Sequence, residues 1–373
     1  MYNQNICRLA KSGLILTNRT FQPMISAIES ITPILYKQFK TIVDVRSPSE
    51  FAQGHIPGSH NIPLFTDEER SQVGTLYTKV NPDEAFAHGL DIAIPKVKEY
   101  LRSLREVVSP GGRILVHCWR GGLRSSAMAE VFRNAGFEVF LLGGGYKAFR
   151  HHIREQLSEL RPVFILGGFT GSGKTEILHA LQEEGEQIID LERLACHKGS
   201  VFGALGQPVQ PTNEQFENNL GDLWLDLDPR KPLWIEDESR MIGNVTLPEP
   251  INDKLCRSVM IRLKVDTEFR IERLVHDYAL FDKSVLAEAI QKIRLRLGGT
   301  ETKIALDALW AGDFQIVAGI TLKYYDKAYQ HTLERRKDLR IYDFKMEHGN
   351  AREIAKAIKK FVKKIILSET DIP

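Results

Sequence analysis

A cysteine stands in the segment ILVHCWRGGLRSS (residues 114–126), where a short apolar run ends and a turn rich in glycine and arginine begins. The thiolate is the nucleophilic form of cysteine, and its pKa falls near cations and at the amino end of a helix. Glycines allow the turn to point successive backbone N–H groups inward, which creates an anion-binding nest. The pattern therefore predicts a reactive cysteine, with three candidate catalytic residues: Cys118, Arg120 and Arg124.

A second glycine-rich turn, GFTGSGKT at residues 168–175, matches the phosphate-binding pattern G-x-x-x-x-G-K-[ST] at every specified position. Backbone N–H groups of such a loop surround phosphate oxygens, its lysine reaches a terminal phosphate, and its threonine hydroxyl binds Mg²⁺. An apolar run at 163–168 leads into the loop and a helical pattern follows it, as the motif requires. The predicted phosphate- and cofactor-binding residues are Gly168, Gly171, Ser172, Gly173, Lys174, Thr175, Asp190 and Glu236.

Acidic residues at the ends of neighbouring strands are expected to complete a Mg²⁺ site with Thr175. The segment LWIEDESR offers Glu236, Asp237 and Glu238, and Glu236 is the preferred metal ligand because it closes the predicted strand. Asp190, at the end of QIID, is the second candidate. The sequence leaves open which of the three consecutive acids faces the metal.

The chain has 373 residues, of which 43% are hydrophobic and 26% are charged, and its formal net charge is +2. These values are typical of soluble globular protein with two domains. No apolar run approaches the roughly 18 residues that a transmembrane helix needs. The four cysteines form no CxxC pair, which disfavours zinc or a disulfide framework and suits a reducing cytoplasm. The first 28 residues lack acidic side chains, and a simple extension is preferred over a transit peptide.

The elements that must position these motifs alternate between short apolar strands and helices, which predicts an α/β fold with mostly parallel sheets. Strands are predicted at residues 41–45, 59–64, 114–117, 138–142, 163–168, 186–191, 232–236 and 258–265. After residue 265 the pattern is mainly helical. The predicted organisation is an N-terminal extension and domain start (1–40), a first α/β domain (41–150), a connecting helix (151–161), and a P-loop domain with a helical C-terminal part (162–373).

The first domain resembles the rhodanese family. Its segment DVRSPSEFAQGHIPGSHNIP (44–63) followed by HCWRGGLRSS carries that resemblance, and the second domain looks like a P-loop NTPase. Rhodaneses carry sulfur as a persulfide on the cysteine of this loop, so the resemblance implies that Cys118 carries a chalcogen. Asp44, Glu50 and His55 belong to the fingerprint of the first half and are expected to build the domain without taking part in chemistry.

The two domains together, with several linking motifs, resemble the tRNA 2-selenouridine synthase family over roughly residues 40–350. The linking motifs are ERSQVGTLY (69–77), GGYKAFR (144–150), DLERLACHKGSVFG (190–203) and EDESRMIGNVTLP (237–248). These linking motifs are specific to the combined family, because they are not general features of rhodanese domains or of P-loop domains. The chain departs from the family at residues 1–40, which have no clear counterpart, and at Lys198, where the family often has arginine.

This resemblance implies a transferase that acts in two steps on 2-thiouridine at the wobble position of tRNA. Geranyl diphosphate first alkylates the sulfur, and selenium from selenophosphate then replaces the geranylthio group by way of Cys118, which produces 2-selenouridine. The resemblance also implies tRNAs for Lys, Glu and Gln as substrates, selenophosphate synthase as a candidate partner, and a cytoplasmic protein without membrane association. An apolar groove beside the P-loop is expected to hold the geranyl chain, with Phe169 and residues 200–205 as candidates.

Binding of tRNA phosphates requires clustered basic side chains in a chain so close to neutrality. The candidates are Lys147, Arg150, Lys198, Arg240, Arg294 and Arg296, and the lysine-rich helix predicted at 351–366 is an alternative surface. Two rival functions remain open: an ATP-dependent tRNA sulfurtransferase or kinase-like enzyme, and a regulatory tRNA-binding module with a degenerate rhodanese. The intact cysteine loop argues against degeneracy.

Overall fold

The computed structural model describes residues 28–346 and 350–370, with side chains up to residue 365. Most of the predicted N-terminal extension, including Cys7, lies outside the described residues. The described chain forms two five-stranded parallel sheets covered by helices, so the predicted α/β fold class is confirmed. Among the described residues, no helix is long and apolar enough to cross a membrane.

The sheet of the first domain has the strand order β1-β5-β4-β2-β3, and every neighbouring pair is parallel. Its strands are β1 (Ser30–Ile31), β2 (Ile42–Asp44), β3 (His60–Asn61), β4 (Arg113–His117) and β5 (Glu138–Leu142). The central strand β4 is almost wholly buried, as its unbroken apolar run predicts. Strand β4 ends immediately before Cys118, so the cysteine loop lies at the carboxyl edge of this sheet.

Five helices surround this sheet: α1 (Pro48–Gln53), α2 (Asp67–Lys79), α3 (Pro82–Val107), α4 (Leu123–Asn134) and α5 (Gly145–Ser158). Helix α3 continues through Pro95. Helix α5 begins at Gly145, so the predicted connecting helix at 151–161 is the second half of a helix that starts inside the first domain.

The sheet of the second domain has the order β12-β11-β6-β8-β7, again with parallel neighbours. Its strands are β6 (Val163–Gly168), β7 (Gln187–Ile189), β8 (Leu233–Glu236), β11 (Val259–Lys264) and β12 (Arg340–Lys345), and a separate hairpin consists of β9 (Met241–Ile242) and β10 (Val245–Thr246). Strand β12 is absent from the sequence-based expectation. It lies at the sheet edge with most of its residues exposed, so it lacks the apolar run of a buried strand.

The helices of the second domain are α6 (Lys174–Glu183), α7 (Leu191–Ala195), α8 (Asn213–Asp226), α9 (Glu249–Arg257), α10 (Thr267–Tyr278), α11 (Lys283–Lys292), α12 (Arg294–Leu297), α13 (Gly299–Ala311), α14 (Phe314–Glu334) and α15 (Ala351–Thr370). Helices α11 to α14 pack around their own apolar core, which includes Phe202, Ile290 and Leu309. The lysine-rich helix α15 packs on the sheet domain with Ile354 and Ile358. The second domain is therefore a sheet layer with a helical part beside the P-loop.

The two domains share one hydrophobic core, in which Phe149 of α5 and Trp224 of α8 are fully buried. Polar contacts reinforce this interface: Tyr146 Oη donates to Glu214 Oε1 at 2.8 Å and Arg150 Nη1 donates to Asn218 Oδ1 at 2.7 Å. Arg150 was a predicted tRNA ligand. The Arg150 side chain is only 8% exposed and forms an ion pair with Glu217 of the second domain. Arg150 therefore connects the two domains, and its charge is not presented on the surface where RNA could bind.

Candidate functional site

The cysteine loop connects β4 to α4 and places Cys118 in a buried position. The Cys118 side chain has 3% of its surface exposed, and its Sγ lies 3.3 Å from Ser125 Oγ. Burial raises the pKa of the thiol, but hydrogen bonds from Ser125 and the charge of Arg124 outweigh burial, so the pKa lies below its ordinary value. A lowered pKa favours the thiolate that a chalcogen carrier needs.

The two predicted arginines of this loop have different surroundings. Arg124 Nη1 pairs with Glu50 Oε2 at 2.6 Å, and the Arg124 charge contributes to the lowered pKa of Cys118. Arg120 is exposed and supports the thiolate through its backbone N–H. Glu50 was expected to be purely structural, yet it positions the cation beside the thiol. Ser125 was missed, although it belongs to the quoted motif.

The cysteine loop packs directly against the start of α5. The backbone N–H of Tyr146 donates to the Cys118 carbonyl oxygen at 2.9 Å, and that of Lys147 donates to the Trp119 carbonyl oxygen at 2.9 Å. A Cβ atom at Gly145 would lie 2.4 Å from the Cys118 carbonyl oxygen, so only glycine permits this approach. The same helix reaches the second domain, so the interface holds the loop in a defined orientation relative to α8.

Residues 169–173 form a phosphate loop between β6 and α6. Gly171 has φ of +79°, and a Cβ there would lie 3.0 Å from the Arg270 carbonyl oxygen, so glycine satisfies both the backbone and the packing. Lys174 Nζ donates to the Gly168 carbonyl oxygen at 3.3 Å. Burial lowers the pKa of Lys174, but carboxylates led by Glu238 outweigh it, so the pKa is raised and the lysine is cationic.

Three glutamates converge on this loop. One carboxylate oxygen from each of Glu192, Glu236 and Glu238 lies within 4.8 Å of the other two. Thr175 Oγ1 lies 3.2 Å from Glu192 Oε2 and 3.3 Å from Glu236 Oε2. Burial and mutual repulsion raise the pKa of Glu236 well above its ordinary value and that of Glu238 to about 8. Oxygen ligands of this kind fit Mg²⁺, which would relieve the repulsion.

The predicted acids divide between this cluster and other contacts. Asp190 accepts the Arg193 N–H at 2.7 Å and pairs with His179 Nε2 at 2.8 Å, so it caps α7. Asp237 accepts the hydroxyl of Tyr329 at 2.7 Å. Glu236 thus belongs to the cluster of three glutamates, and its role as a metal ligand stays a prediction. Glu192 was missed because its carboxylate comes from a helix 44 residues earlier in the chain.

The phosphate loop opens into a cavity of about 1400 Å³, which includes space open to solvent. Lys174, Lys198 and Arg273 contribute cationic side chains to its wall, and Thr175 and the glutamates Glu192 and Glu238 also line it. Arg273 was missed by the sequence reasoning, because it follows the loop by a hundred residues and belongs to no motif. The cavity is suited to an anion with a divalent cation.

A small apolar cleft adjoins this cavity, and its volume of about 460 Å³ includes space open to solvent. Phe202, within the predicted stretch 200–205, contributes to its wall. Phe169 instead packs against Tyr329, with 5.4 Å between ring centroids. The remaining lining comes from the helical part, which sequence reasoning did not connect with this site: Leu274, Val275, Tyr278, Ala279, Leu286, Phe314, Val317, Ala318, Thr321 and Tyr325, with Thr170 and Ser200 at the edge shared with the cavity.

The predicted tRNA ligands other than Arg150 are exposed but lie in several places. Lys147 lies beside the cysteine loop, whereas Lys198 lines the phosphate cavity with its Nζ 6.0 Å from the Tyr278 ring centroid. Arg240 follows β8, and Arg294 and Arg296 belong to α12. Of these five residues, Lys198 lies at the phosphate cavity. The other four lie apart from one another: Lys147 in the first domain, Arg240 after β8, and Arg294 and Arg296 in the helical part.

Two family models match consecutive parts of this chain. The family model of the tRNA 2-selenouridine synthase AAA domain matches residues 161–364, and that of the rhodanese-like domain matches residues 33–152. A rhodanese-related protein of known structure from Thermoplasma volcanium is 23% identical in a match that covers 33% of this chain and 92% of that chain, with a TM-score of 0.21.

Two relatives are each named tRNA 2-selenouridine synthase. The protein from Shewanella sediminis (strain HAW-EB3) is 35% identical over 336 residues, which cover 81% of this chain and 90% of the relative. The protein from Sulfurovum sp. (strain NBC37-1) is 34% identical over 355 residues, which cover 86% of this chain and 94% of the relative. The chain therefore belongs to the tRNA 2-selenouridine synthase family.

Proposed function

We propose that this protein is a transferase that converts 2-thiouridine at the wobble position of tRNA into 2-selenouridine. In the first step the thiouridine sulfur is alkylated by geranyl diphosphate in the P-loop domain. In the second step selenium from selenophosphate replaces the geranylthio group at the Cys118 loop: selenium bonds to C2 of the base, the geranylthiolate leaves C2 with its electron pair, and water takes up the phosphoryl group as the Se–P bond breaks. Family membership supports the tRNA reaction, and the shape of the second domain supports the geranyl donor.

One observation carries the choice of donor: the phosphate cavity and the apolar cleft adjoin each other and share part of their lining. Thr170, Ser200, Leu274, Tyr278 and Tyr325 line both. An isoprenoid diphosphate has a polyanionic head and a hydrocarbon tail, and it would place them in the cavity and the cleft respectively. Burial of the tail in an apolar cleft contributes roughly 0.8 kcal/mol for each CH₂ group removed from water.

The first step would break the bond between C1 of the geranyl group and the diphosphate oxygen, while the thiouridine sulfur forms a new bond to C1. The electron pair of the broken bond stays on the diphosphate. Lys174 and the backbone N–H groups of residues 171–175, which line the cavity, would stabilise that charge. Thr175, Glu192, Glu236 and Glu238 would hold Mg²⁺, which supplies further positive charge to phosphate oxygens when bound.

The second step depends on the loop of the first domain. Its backbone N–H groups and Arg124 would hold the anionic selenium donor beside the Cys118 thiolate, and Ser125 offers a hydroxyl 3.3 Å from the sulfur. The thiol is nearly buried, so a substrate has to reach it through the exposed loop. Prenylation matters because a thiocarbonyl sulfur leaves poorly until it is alkylated.

The test is purified protein with thiolated tRNA, geranyl diphosphate and Mg²⁺ in the absence of nucleotide. We expect S-geranyl-2-thiouridine in the nucleoside digest. Lys174→Ala should reduce its formation by about 10²-fold or more, because charge-stabilising groups have effects of that size. Lys231→Ala is the matched control, since Lys231 is exposed near the opposite end of β8 from Glu236.

Two results would count against the proposal. A strict requirement for added ATP would favour the ATP-dependent sulfurtransferase or kinase-like alternative. An equal rate in Lys174→Ala and Lys231→Ala would remove the P-loop from the geranyl transfer.

A further inference from the structure

Helix α10 contacts the phosphate loop through Arg270. The Arg270 side chain is 3% exposed, and its Nε donates to the Thr170 carbonyl oxygen at 2.8 Å. Its guanidinium also pairs with Asp326 of α14, with 2.9 Å from Nη1 to Oδ2. These contacts fix α10 relative to the loop, so other side chains of this helix have defined positions above the phosphate site.

Arg273 lies one turn further along α10 and reaches the same loop. Three atoms of its guanidinium lie 2.9 to 3.0 Å from the place where a Cβ atom of Gly173 would be. Gly173 immediately precedes Lys174, and Arg273 lines the phosphate cavity. Arg273 and Lys174, whose ammonium group donates to the Gly168 carbonyl oxygen, therefore both contribute a cation to the wall of this cavity.

Arg273 forms an exposed ion pair that it could give up in order to bind a phosphate group. Its Nη1 lies 2.7 Å from Glu176 Oε1, and the two side chains are 34% and 64% exposed. Exposed ion pairs contribute little to stability, whereas a guanidinium binds phosphate oxygens with two parallel hydrogen bonds. Arg270 cannot make the same exchange, because its guanidinium is buried against Asp326 and Thr170.

We propose that Arg273 is a catalytic residue that leaves Glu176 and binds the diphosphate of the isoprenoid donor as that group departs. This inference rests on the proposed function and names one group that acts in it. The bond between C1 and oxygen breaks with its electron pair on the diphosphate, the thiouridine sulfur bonds to C1, and the N3 proton of the base goes to solvent. Arg273 neutralises the charge that develops on the leaving diphosphate.

The experiment compares Arg273→Ala with Arg352→Ala, using Mg²⁺ throughout. Arg352 is a matched control because its Nε makes a similar exposed ion pair, 2.8 Å from Glu184 Oε1, beyond the other end of α6. We expect Arg273→Ala to lower kcat for geranyl transfer by about 10² to 10³. The dissociation constant for inorganic pyrophosphate, measured by calorimetry without tRNA, should rise by about tenfold or more. The thermal midpoint should match that of the control.

Two further variants separate charge from geometry. Arg273→Lys should recover part of the lost rate, because it keeps the charge but loses the planar fork. Glu176→Gln releases the arginine and should tighten pyrophosphate binding by about two- to fivefold. Both effects depend on the guanidinium and the anion, so a residue that only supported the fold would produce neither.

The outcomes distinguish this inference from the proposed function. Suppose that the wild-type protein transfers geranyl groups, and that Arg273→Ala matches Arg352→Ala in both kcat and pyrophosphate affinity. The role of Arg273 is then refuted, and the proposed function stands. If no geranyl product forms but Arg273→Ala still weakens pyrophosphate binding, the anion contact stands and geranyl transfer fails. If the wild-type protein neither transfers geranyl groups nor binds pyrophosphate, both are overturned.

Discussion

Replacing Ser125 with alanine is expected to raise the pKa of the Cys118 thiol. Ser125 is fully buried, its Oγ lies 3.3 Å from Sγ, and hydrogen bonding from this serine is the largest influence that lowers the thiol pKa. The substitution removes the hydroxyl while the backbone N–H of residue 125 remains. The thiolate then loses one of its donors in a site where water cannot replace it.

The size of the effect follows from the energy of a hydrogen bond to a charged group, about 1.5–3 kcal/mol. One pKa unit corresponds to about 1.36 kcal/mol, so full loss of this bond would raise the pKa by about 1–2 units. The Ser125 hydroxyl has a single proton, and the Gly122 carbonyl oxygen at 3.0 Å competes with the sulfur for it. The lower end, about one unit, is therefore expected.

The assay is the pH dependence of alkylation by a small reagent, with each cysteine followed by peptide mass spectrometry. The reactive thiolate accumulates as pH rises through the pKa, so the Ser125→Ala profile should move to higher pH. Ser126→Ala is the matched control, because this neighbouring serine is half-buried and lies outside the contacts of the sulfur. Arg124→Ala should move the profile less, and Arg120→Ala should leave it in place, since Arg120 acts through its backbone.

A Ser125→Ala profile that coincides with that of Ser126→Ala would refute this reasoning. A large shift in Arg120→Ala would also contradict it, because that result requires the Arg120 side chain to approach the sulfur. Equal thermal midpoints for the variants would exclude a general loosening of the loop.

Three further predictions concern the two reaction steps, the cation and the RNA. A Cys118→Ala strain should accumulate S-geranyl-2-thiouridine in its tRNA by nucleoside mass spectrometry, and unchanged 2-thiouridine would contradict the division between domains. Glu192→Gln should weaken Mg²⁺ binding by about tenfold or more in a calorimetric titration, whereas Glu183→Gln, on the exposed face of α6, should not. Charge reversal at Lys198, Arg294 and Arg296 should weaken tRNA binding and lower the salt slope by about one for each lost phosphate contact, and an unaltered slope would place the RNA elsewhere.

The elements that sequence reasoning identified best are those whose chemistry is contiguous in the chain. Strand β6, the phosphate loop and α6 follow one another without a break, and so do β4, the cysteine loop and α4. The weaker assignments have physical causes as well. The exposed edge strand β12 lacks the buried apolar run by which the other strands were predicted.

The sequence by itself determined the fold class, the two glycine-rich loops and the family, because a strand, a tight turn and the next helix are set by neighbouring residues. Only the tertiary structure decided what surrounds those loops. Glu192, Arg273 and the walls of the apolar cleft come from elements far apart in the chain, and packing of α7, α10 and α14 brings them together. For Arg150 the structure removed a residue from a predicted site: its charge suggested RNA binding, but the side chain is buried in the domain interface. Burial and long-range pairing depend on that packing, and the packing cannot be read from the spacing of residues within one segment.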